Sequence, residues 1–421
     1  MTALAVQSFC LLLAHFVCPL VFFTNFTRNP YQTQITLLHL CLVALVLAQI
    51  YGWARRSSAP PDSPAGPKAA ALDGGPAGVL SRIFWPLGVF TLVCWLSWLH
   101  SWFSHPPFFR SSVAAEGLRV NVFWVVNILL AIVAGSVVGR RVRQEPGTRG
   151  LWEPDLPSLG AGLLFGAGWL FYQRLRIPNP PSNHSYIWAF LWDPYGFFLW
   201  FGALAFLAYR WRRIGPRLLI TINLTVGMLA GIYAIGQYFG VDLIWPRNMS
   251  PYGSRAISTF GNPNFLSPYL AVLMPGLLVG SMKSKLIWQR CFYCALWILF
   301  AAALLATQTR SSWAAALVGS LVSVWLLRPG RAGRSGEPAG SGRSLAIGLG
   351  VGAVLLFLAW PGRPKSGTPS ALGRLVEMKS IWQESKTNSK DFYQPFFQRM
   401  LIWSGCWRFV KERPLLGKGW G

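Results

Sequence analysis

Charged residues are scarce in this sequence, and acidic residues are the scarcest of all. Of its 421 residues only 12% are charged, with 13 Asp and Glu against 38 Lys and Arg. A soluble domain carries about 25% charged residues, so about half of the usual charge is missing. The composition therefore excludes an ordinary soluble globular protein.

The cysteines lack the arrangement of a disulfide framework or a metal site. There are seven in the chain, and Cys291 and Cys294 form a C-x-x-C pair. No second pair and no His lie nearby, so we interpret them as apolar packing residues.

The N-terminus lacks the basic residues of a signal peptide. No Lys or Arg precedes the first apolar run, residues 4–23. A cleaved signal peptide begins with a basic region and ends at small residues. We therefore interpret this run as a retained first membrane span.

Apolar runs dominate what is present. Hydrophobic residues make up 53% of the chain, and its 22 Trp are typical of anchoring at membrane–water interfaces. A membrane helix needs about 20 mostly apolar residues. Eleven runs predict an all-α protein, a polytopic bundle of about 11 transmembrane helices. The predicted spans are residues 4–23, 35–53, 83–103, 120–139, 158–172, 187–209, 218–239, 264–281, 287–306, 312–327 and 344–360.

Basic residues outnumber acidic ones so strongly that the formal net charge is +25. In a soluble protein this excess would indicate nucleic-acid binding, but here the basic residues lie in short loops between apolar runs. Leaving aside the C-terminal segment, loops after even-numbered spans carry nineteen of them, against eight after odd-numbered spans. The positive-inside rule then predicts a cytoplasmic N-terminus, an outer-side segment after residue 360 and no nucleic-acid partner.

The pattern of spans divides the chain into three parts. Residues 1–217 hold spans one to six, 218–360 hold spans seven to eleven, and 361–421 form a polar segment on the outer face. Two cytoplasmic loops, 54–82 and 328–343, are rich in Pro, Gly, Ala and Ser, as flexible linkers are. The sequence shows no soluble catalytic domain and no convincing internal repeat.

The start of the eighth span has the features of an anion site. Asn262 is a good N-cap and is followed by Pro263, which is tolerated at a first helical position. Gly261 allows a ligand to approach the backbone closely. Free N–H groups, the helix dipole and the nearby Arg255 would then favour an anion. The alternative interpretation is ordinary capping of a membrane helix.

Arg310 lies in a very short predicted outer turn between the ninth and tenth spans, where Thr309 or Ser311 could cap the tenth. It therefore sits at a helix N-terminus, the unfavourable end for a cation. Either Arg310 reaches to lipid headgroups, or it shares a bound anion with the helix dipole. The residues alone leave both interpretations open.

The segment 361–421 contains a predicted amphipathic helix. Phe396, Met400, Trp403, Trp407 and Val410 recur at helical spacing, with Arg399 on another face. Such a helix is typical of one that lies on a membrane surface, and the sequence predicts that it ends before Pro414.

Three stretches in register resemble the O-antigen ligase and O-antigen polymerase superfamily, polytopic membrane glycosyltransferases of the bacterial envelope. Residues 258–270 are similar to its G-T-F-G-N-P-N-x-L-x-x-Y-L segment, with Ser258 in place of the first Gly. Residues 309–313 resemble its S-R-G-x-W-type turn. Arg399 to Trp403 and then 414–419 resemble R-x-x-x-W followed by P-L-L-G-x-G. The likeness covers roughly residues 220–421.

The resemblance implies a multi-pass protein of the bacterial inner membrane, embedded among membrane lipids, that uses a polyprenyl-diphosphate-linked glycan as donor. The acceptor would be lipid A core, another glycan or a protein hydroxyl. Arg255, Arg310 and Arg399 would bind the donor diphosphate, while Asn262 and Asn264, with Gly261, would shape the start of the eighth span. No cofactor and no metal are expected, because arginines and helix N-termini can neutralise the diphosphate. Asp242 is isolated and is interpreted as a solvated loop residue.

One departure from the family leaves the catalytic residue unassigned. The family places a candidate catalytic His further along the outer loop, which in this numbering lies beyond Gly421. The chain is therefore expected to be a truncated form that holds the donor site. Two alternatives stay open: a transporter of an anion or a lipid-linked solute, and an inactive fragment. A transporter would place polar groups deep in its spans, whereas the ionisable residues here are expected at span ends.

Overall fold

A computed structural model describes most of the predicted spans. All of the secondary structure in these residues is helical, with no strand among them, which confirms the all-α prediction. The described residues are 3–21, 31–57, 77–104, 118, 122, 125, 155–176, 216–242, 252, 255–284, 286–326, 340–362, 369–376, 395–412 and 414.

Helices α1 to α10 follow one another in chain order among the described residues. Helix α1 runs through Ala3–Leu12, a π-helical turn at Leu13–Val17 and Cys18–Leu20. The others are α2 (Tyr31–Ser57), α3 (Ala77–Ser104), α4 (Leu156–Arg176), α5 (Pro216–Tyr238), α6 (Pro263–Lys283), α7 (Ile287–Thr307), α8 (Arg310–Leu326), α9 (Gly340–Ala359) and α10 (Pro395–Glu412).

Nine of the eleven predicted spans coincide with one of these helices. The predicted span 187–209 lies outside the described residues, as does nearly all of 120–139. By length and composition, Arg217–Tyr238, Pro263–Lys283 and Ile287–Thr307 are apolar enough to cross a membrane, and five shorter apolar helices accompany them. The protein is thus a helical membrane protein, and the number of its spans stays a prediction.

The chain forms two compact units. One contains Met1–Ala44 and Arg141–Val376, and its core lies where α5, α6 and α7 pack together. The fully buried side chains there include Leu266, Leu270 and Phe300. Gly227 of α5 faces the Phe300 ring so closely that a Cβ built at Gly227 would lie 2.5 Å from Phe300 Cζ. Close contact between α5 and α7 therefore depends on the absence of a side chain at this position.

The other unit contains Leu45–Arg140 and Glu377–Gly421. In α3, three tryptophans contact one another about one turn apart. The rings of Trp95 and Trp98 meet edge to face with centroids 5.7 Å apart, and those of Trp98 and Trp102 are tilted with centroids 6.2 Å apart. Helix α10 ends at Glu412, before Pro414, as predicted. Its Trp403 and Trp407 side chains are exposed. The helix is confirmed, and its location on a membrane surface stays a prediction.

Candidate functional site: the joined ends of three helices

The start of α6 has the predicted capping geometry. A 3₁₀ turn, Ser258–Phe260, leads to Gly261 in the left-handed conformation with φ 66°. Asn262 follows in an extended conformation, and its side-chain oxygen accepts a hydrogen bond of 2.8 Å from the Asn264 N–H. Pro263 is the first helical residue. Because an extended N-cap with a short polar side chain closes the first helical turn, these residues begin the helix as expected.

The free amides expected at the start of α6 are, however, already bonded. Asn264 N–H donates to the cap, and the N–H groups of Phe265 and Leu266 both donate to the Asn262 carbonyl. Pro263 has no N–H to offer. An anion near α6 would therefore interact with the helix dipole and with side chains rather than with these amides.

The turn before α6 lies deep beside α5. The Ser258 hydroxyl donates to the Ala230 carbonyl at 2.7 Å, and Ala230 precedes the end of α5 by two turns, about 12 Å. Residues 256–262 are all buried. Backbone that is buried and not part of a long helix requires hydrogen-bond partners from the protein itself.

Two buried or half-buried glutamines supply those partners. The Gln237 side-chain oxygen accepts from the N–H groups of Ile257 and Ser258, at 3.1 and 2.7 Å. Gln34 Nε2 donates to the carbonyls of Thr259 and Val21, both at 2.8 Å. The glutamines therefore fix the turn to α5, α1 and α2, a role that no local sequence pattern indicates.

Asp242 is not simply a solvated loop residue, contrary to the interpretation from sequence. Its carboxylate accepts hydrogen bonds from the Tyr233 hydroxyl at 2.5 Å and from Gln237 Nε2 at 3.2 Å. The Gln237 amide thus donates to Asp242 while its oxygen holds the turn before α6. Asp242 orients the residue that supports the site.

The predicted short turn between α7 and α8 is confirmed. Helix α7 ends at Thr307, Gln308 adopts a left-handed conformation with φ 53°, and α8 begins at Arg310. The Ala256 N–H donates to the Ala306 carbonyl at 3.1 Å, so this turn lies beside the segment that leads into α6. Two loops separated by some fifty residues are therefore joined through their backbones.

Arg255 makes the densest set of contacts in this region. Its Nε donates to the Thr307 carbonyl at 3.0 Å, and its Nη2 donates to Asn264 Oδ1 at 3.1 Å and to Thr309 Oγ1 at 2.8 Å. One guanidinium group thus joins the end of α7, the residue before α8 and the first turn of α6. We call Arg255 and its three partners, Asn264, Thr307 and Thr309, the helix-end junction.

Arg310 is the first residue of α8 and is half-buried. Its Nη1 donates to the Arg374 carbonyl at 3.1 Å, and Gln308 Nε2 donates to the Pro369 carbonyl at 3.1 Å. The segment 369–376 therefore lies against the α7–α8 turn. It brings a further arginine, Arg374, beside Arg310, which was not predicted because this segment carries no recognised motif.

The amide after Arg310 remains available. Ser311 is exposed, and its N–H has no hydrogen-bond partner among the described residues, whereas Ser312 and Trp313 N–H groups donate to the Thr309 carbonyl. The start of α8 therefore combines an open N–H, the positive end of the helix dipole and the Arg310 guanidinium. This combination favours an anion more than the start of α6 does.

Side-chain hydrogen bonds also fix α8 against its neighbours. Ser312 Oγ donates to Ser267 Oγ of α6 at 2.9 Å, and Trp313 Nε1 donates to the Leu304 carbonyl of α7 at 2.8 Å. These bonds hold the first turn of α8 in a fixed orientation beside α6 and α7. Five predicted site residues lie in or next to the helix-end junction: Arg255, Gly261, Asn262, Asn264 and Arg310.

The sixth predicted site residue, Arg399, lies in α10 within the other compact unit. Its side chain is outside what the structure describes, so its part in the site stays a prediction. No group of three or more His, Cys, Asp or Glu that could hold a metal ion occurs among the described residues. The described side chains that meet at the junction offer guanidinium, amide and hydroxyl groups.

Comparison with known proteins agrees with the resemblance seen in the sequence. The family model described as O-antigen ligase matches residues 294–421, which include α8, α10 and most of α7. No curated protein and no solved structure matches the chain. The matched region begins within α7 and contains Arg310. Residues 294–421 are therefore similar to the O-antigen ligase family, in agreement with the motifs found in the sequence.

Proposed function

We propose that this protein is a glycosyltransferase of the outer face of the bacterial inner membrane. It would transfer a glycan from polyprenyl diphosphate to a hydroxyl of lipid A core, of another glycan or of a protein. In this reaction the bond between the sugar's anomeric carbon and the phosphate oxygen breaks. The polyprenyl diphosphate leaves with the electron pair, and the acceptor oxygen bonds to the carbon as its proton is released.

The arrangement at the start of α8 carries this proposal. Arg310, the open Ser311 N–H and the α8 dipole together offer positive charge where the charge of a leaving diphosphate would develop. Preorganised donors of this kind stabilise a transition state strongly because they need no rearrangement during the reaction. Arginine also matches phosphate oxygens with a planar fork of donors.

The start of α6 and the two remaining arginines complete the proposed site. The part of the site beside α8 would be shaped by Gly261, Asn262 and Asn264. Arg255 would belong to the site through the helix-end junction. Arg399 would contribute from α10, as the family resemblance implies.

Replacement of Arg310 tests this proposal. We expect Arg310→Ala to lower glycan transfer about 100-fold, because removal of one preorganised donor typically costs that much. Transfer would be measured in membrane vesicles supplied with a polyprenyl-diphosphate-linked glycan, with the amount of inserted protein determined by immunoblot. Arg290→Ala is the control, since Arg290 donates to the Ser284 carbonyl at the opposite end of α7. Near-normal transfer by correctly inserted Arg310→Ala protein would overturn the donor-site assignment.

A second candidate function is transport of an anion or a lipid-linked solute, and one observation favours it. His15, in the π-helical turn of α1, hydrogen-bonds to Asn223 of α5, and the Tyr269 hydroxyl of α6 donates to the same Asn223. Polar groups therefore occur within the apolar helices, and one of them, His15, is ionisable, whereas the ionisable residues were expected at span ends. Polar and ionisable residues inside membrane spans often mark transport pathways. Uptake of phosphate or a labelled lipid diphosphate into proteoliposomes, with no glycan transfer, would favour this function.

A further inference from the structure

We infer that Arg255 is a positioning residue, which orients Arg310 and the start of α6 and does not itself bind the donor diphosphate. This inference rests on the proposed function. An arginine side chain has five N–H donors, and three of those in Arg255 already donate to protein oxygens. The acceptors are the oxygens of Thr307, Asn264 and Thr309, which lie in three different structural elements.

The negative end of α7 compensates part of the charge of Arg255. Its Nε donates to the carbonyl of Thr307, the last residue of α7. The C-terminal end of a helix carries partial negative charge and stabilises a cation placed there. Arg310 is in the opposite setting, because it stands at the positive end of α8. An anion therefore relieves an unfavourable interaction at Arg310, whereas at Arg255 no such interaction exists with α7.

The contacts of Arg255 fix the elements that would bind the donor. Thr309, its acceptor at 2.8 Å, directly precedes Arg310, and Asn264 is the residue whose N–H closes the α6 cap. The backbone bond between Ala256 and Ala306 joins the same two loops. Loss of the Arg255 fork would therefore loosen the α7–α8 turn and the start of α6 together.

A double-mutant cycle between Arg255 and its acceptor tests this role. The full 421-residue chain would be purified in detergent as the wild type, Arg255→Gln, Thr309→Val and the double variant. Binding of inorganic diphosphate would be measured by calorimetry. If Arg255 acts through Thr309, each single variant should weaken binding by a similar factor of about 5. The double variant should then be no weaker than the singles, because coupled residues are not additive.

Two further variants separate positioning from direct binding and from loss of fold. Arg255→Lys keeps the positive charge but cannot form the three-way fork, so it should lose as much affinity as Arg255→Gln. Arg290→Gln is a matched control that removes a guanidinium–carbonyl contact elsewhere, and it should leave the diphosphate Kd unchanged. The melting temperature of each variant is recorded, and the Kd is compared only among variants that elute as folded protein.

The outcomes are distinct. A Thr309→Val variant with wild-type affinity, or an Arg255→Lys variant that retains it, would overturn the positioning role and make Arg255 a direct ligand. Wild-type protein that binds no diphosphate would overturn the proposed function itself, and the positioning role with it. Equal and non-additive losses of affinity in the Arg255→Gln and Thr309→Val variants would support both.

Discussion

Arg255 of the helix-end junction and the neighbouring Arg310 differ in their position relative to helix ends. Arg255 donates to a carbonyl at the C-terminal end of α7, and Arg310 stands at the N-terminal end of α8. The first location stabilises a guanidinium, and the second disfavours it. A sequence motif presents both simply as arginines near an anion site. Their positions at the helix termini favour a structural role for Arg255 and a ligand-binding role for Arg310.

Ser258 is a second residue whose conformation is informative. It has φ 51°, a left-handed conformation that glycine adopts without strain, and the related family segment carries Gly at this position. For other residues this conformation costs about 1–2 kcal/mol. The Ser258 hydroxyl, however, donates to the buried Ala230 carbonyl, and such a bond contributes about 1 kcal/mol. The hydrogen bond of Ser258 thus partly offsets the cost of its left-handed backbone conformation.

Substitution of Ser258 should show these two opposing effects. We expect Ser258→Gly to stay within about 1 kcal/mol of the wild type, because relief of strain offsets the lost hydrogen bond. Ser258→Ala keeps the strain and loses the bond, so it should be less stable by about 1 kcal/mol. Thermal unfolding in detergent, followed by tryptophan fluorescence, measures both. An alanine variant as stable as the glycine variant would contradict this account.

The parts of the site that could be predicted are those whose chemistry is local. The Asn262 cap bonds to an amide two residues away, so its residue types and spacing are visible in the sequence. Gln34 bonds to the Thr259 carbonyl, 225 residues away, and Asp242 is held by Tyr233 and Gln237 of a preceding helix. Such partners become neighbours only through helix packing, so no local pattern indicates them.

At the scale of helices, hydropathy locates the apolar spans but not the polar contacts between them. The predicted span 312–327 is close to α8, since apolar composition continues along that helix. The Asn223 side chain, by contrast, lies within α5, where it bonds to His15 and to the Tyr269 hydroxyl. A polar residue inside an apolar run lowers the local hydropathy only slightly, and hydropathy does not indicate which residues it contacts. The partners of Asn223 on two other helices were therefore not predicted.

The contact between α5 and α7 gives a prediction about packing. A Cβ at Gly227 would lie 2.5 Å from Phe300 Cζ, well inside the separation of about 3.5–4.0 Å at which carbon atoms attract. We expect Gly227→Ala to destabilise the protein by about 1–3 kcal/mol through overpacking of this contact. The midpoint of thermal unfolding in detergent measures the change.

A second helix glycine supplies the control for this prediction. A Cβ placed on Gly276 in α6 would have nothing within 4 Å of it, so Gly276→Ala should be neutral or more stable by up to about 1 kcal/mol. Phe300→Leu in the Gly227→Ala background should restore part of the lost stability, because it removes the ring atoms that clash. Equal stability of the two alanine variants would show that α5 and α7 do not meet closely at Gly227.

At the scale of the whole molecule, basic residues lie at both ends of the α6–α7 pair. Arg255 and Arg310 lie at the junction where α6 begins and α7 ends. Lys283 lies in the last turn of α6, and Arg290 lies in the first turn of α7, where it bonds to Ser284. The antiparallel connection of α6 and α7 thus separates these two sets of basic residues, as the alternating charge of the loops predicts.

The membrane orientation determines whether the junction can meet a donor on the outer face. The loop 328–343 carries four arginines, Arg328, Arg331, Arg334 and Arg343, and should be cytoplasmic. We expect alkaline phosphatase fused after residue 332 to be inactive and the same reporter fused after residue 380 to be active, because this enzyme matures only outside the cytoplasm.

Immunoblots of both fusions control for expression. Replacement of Arg328 and Arg331 by Ser should raise the activity of the 332 fusion, because those charges retain the loop on the cytoplasmic side. The reverse pattern in the two unsubstituted fusions would place the Arg310 turn on the cytoplasmic side, where an outer-leaflet glycan donor could not reach it.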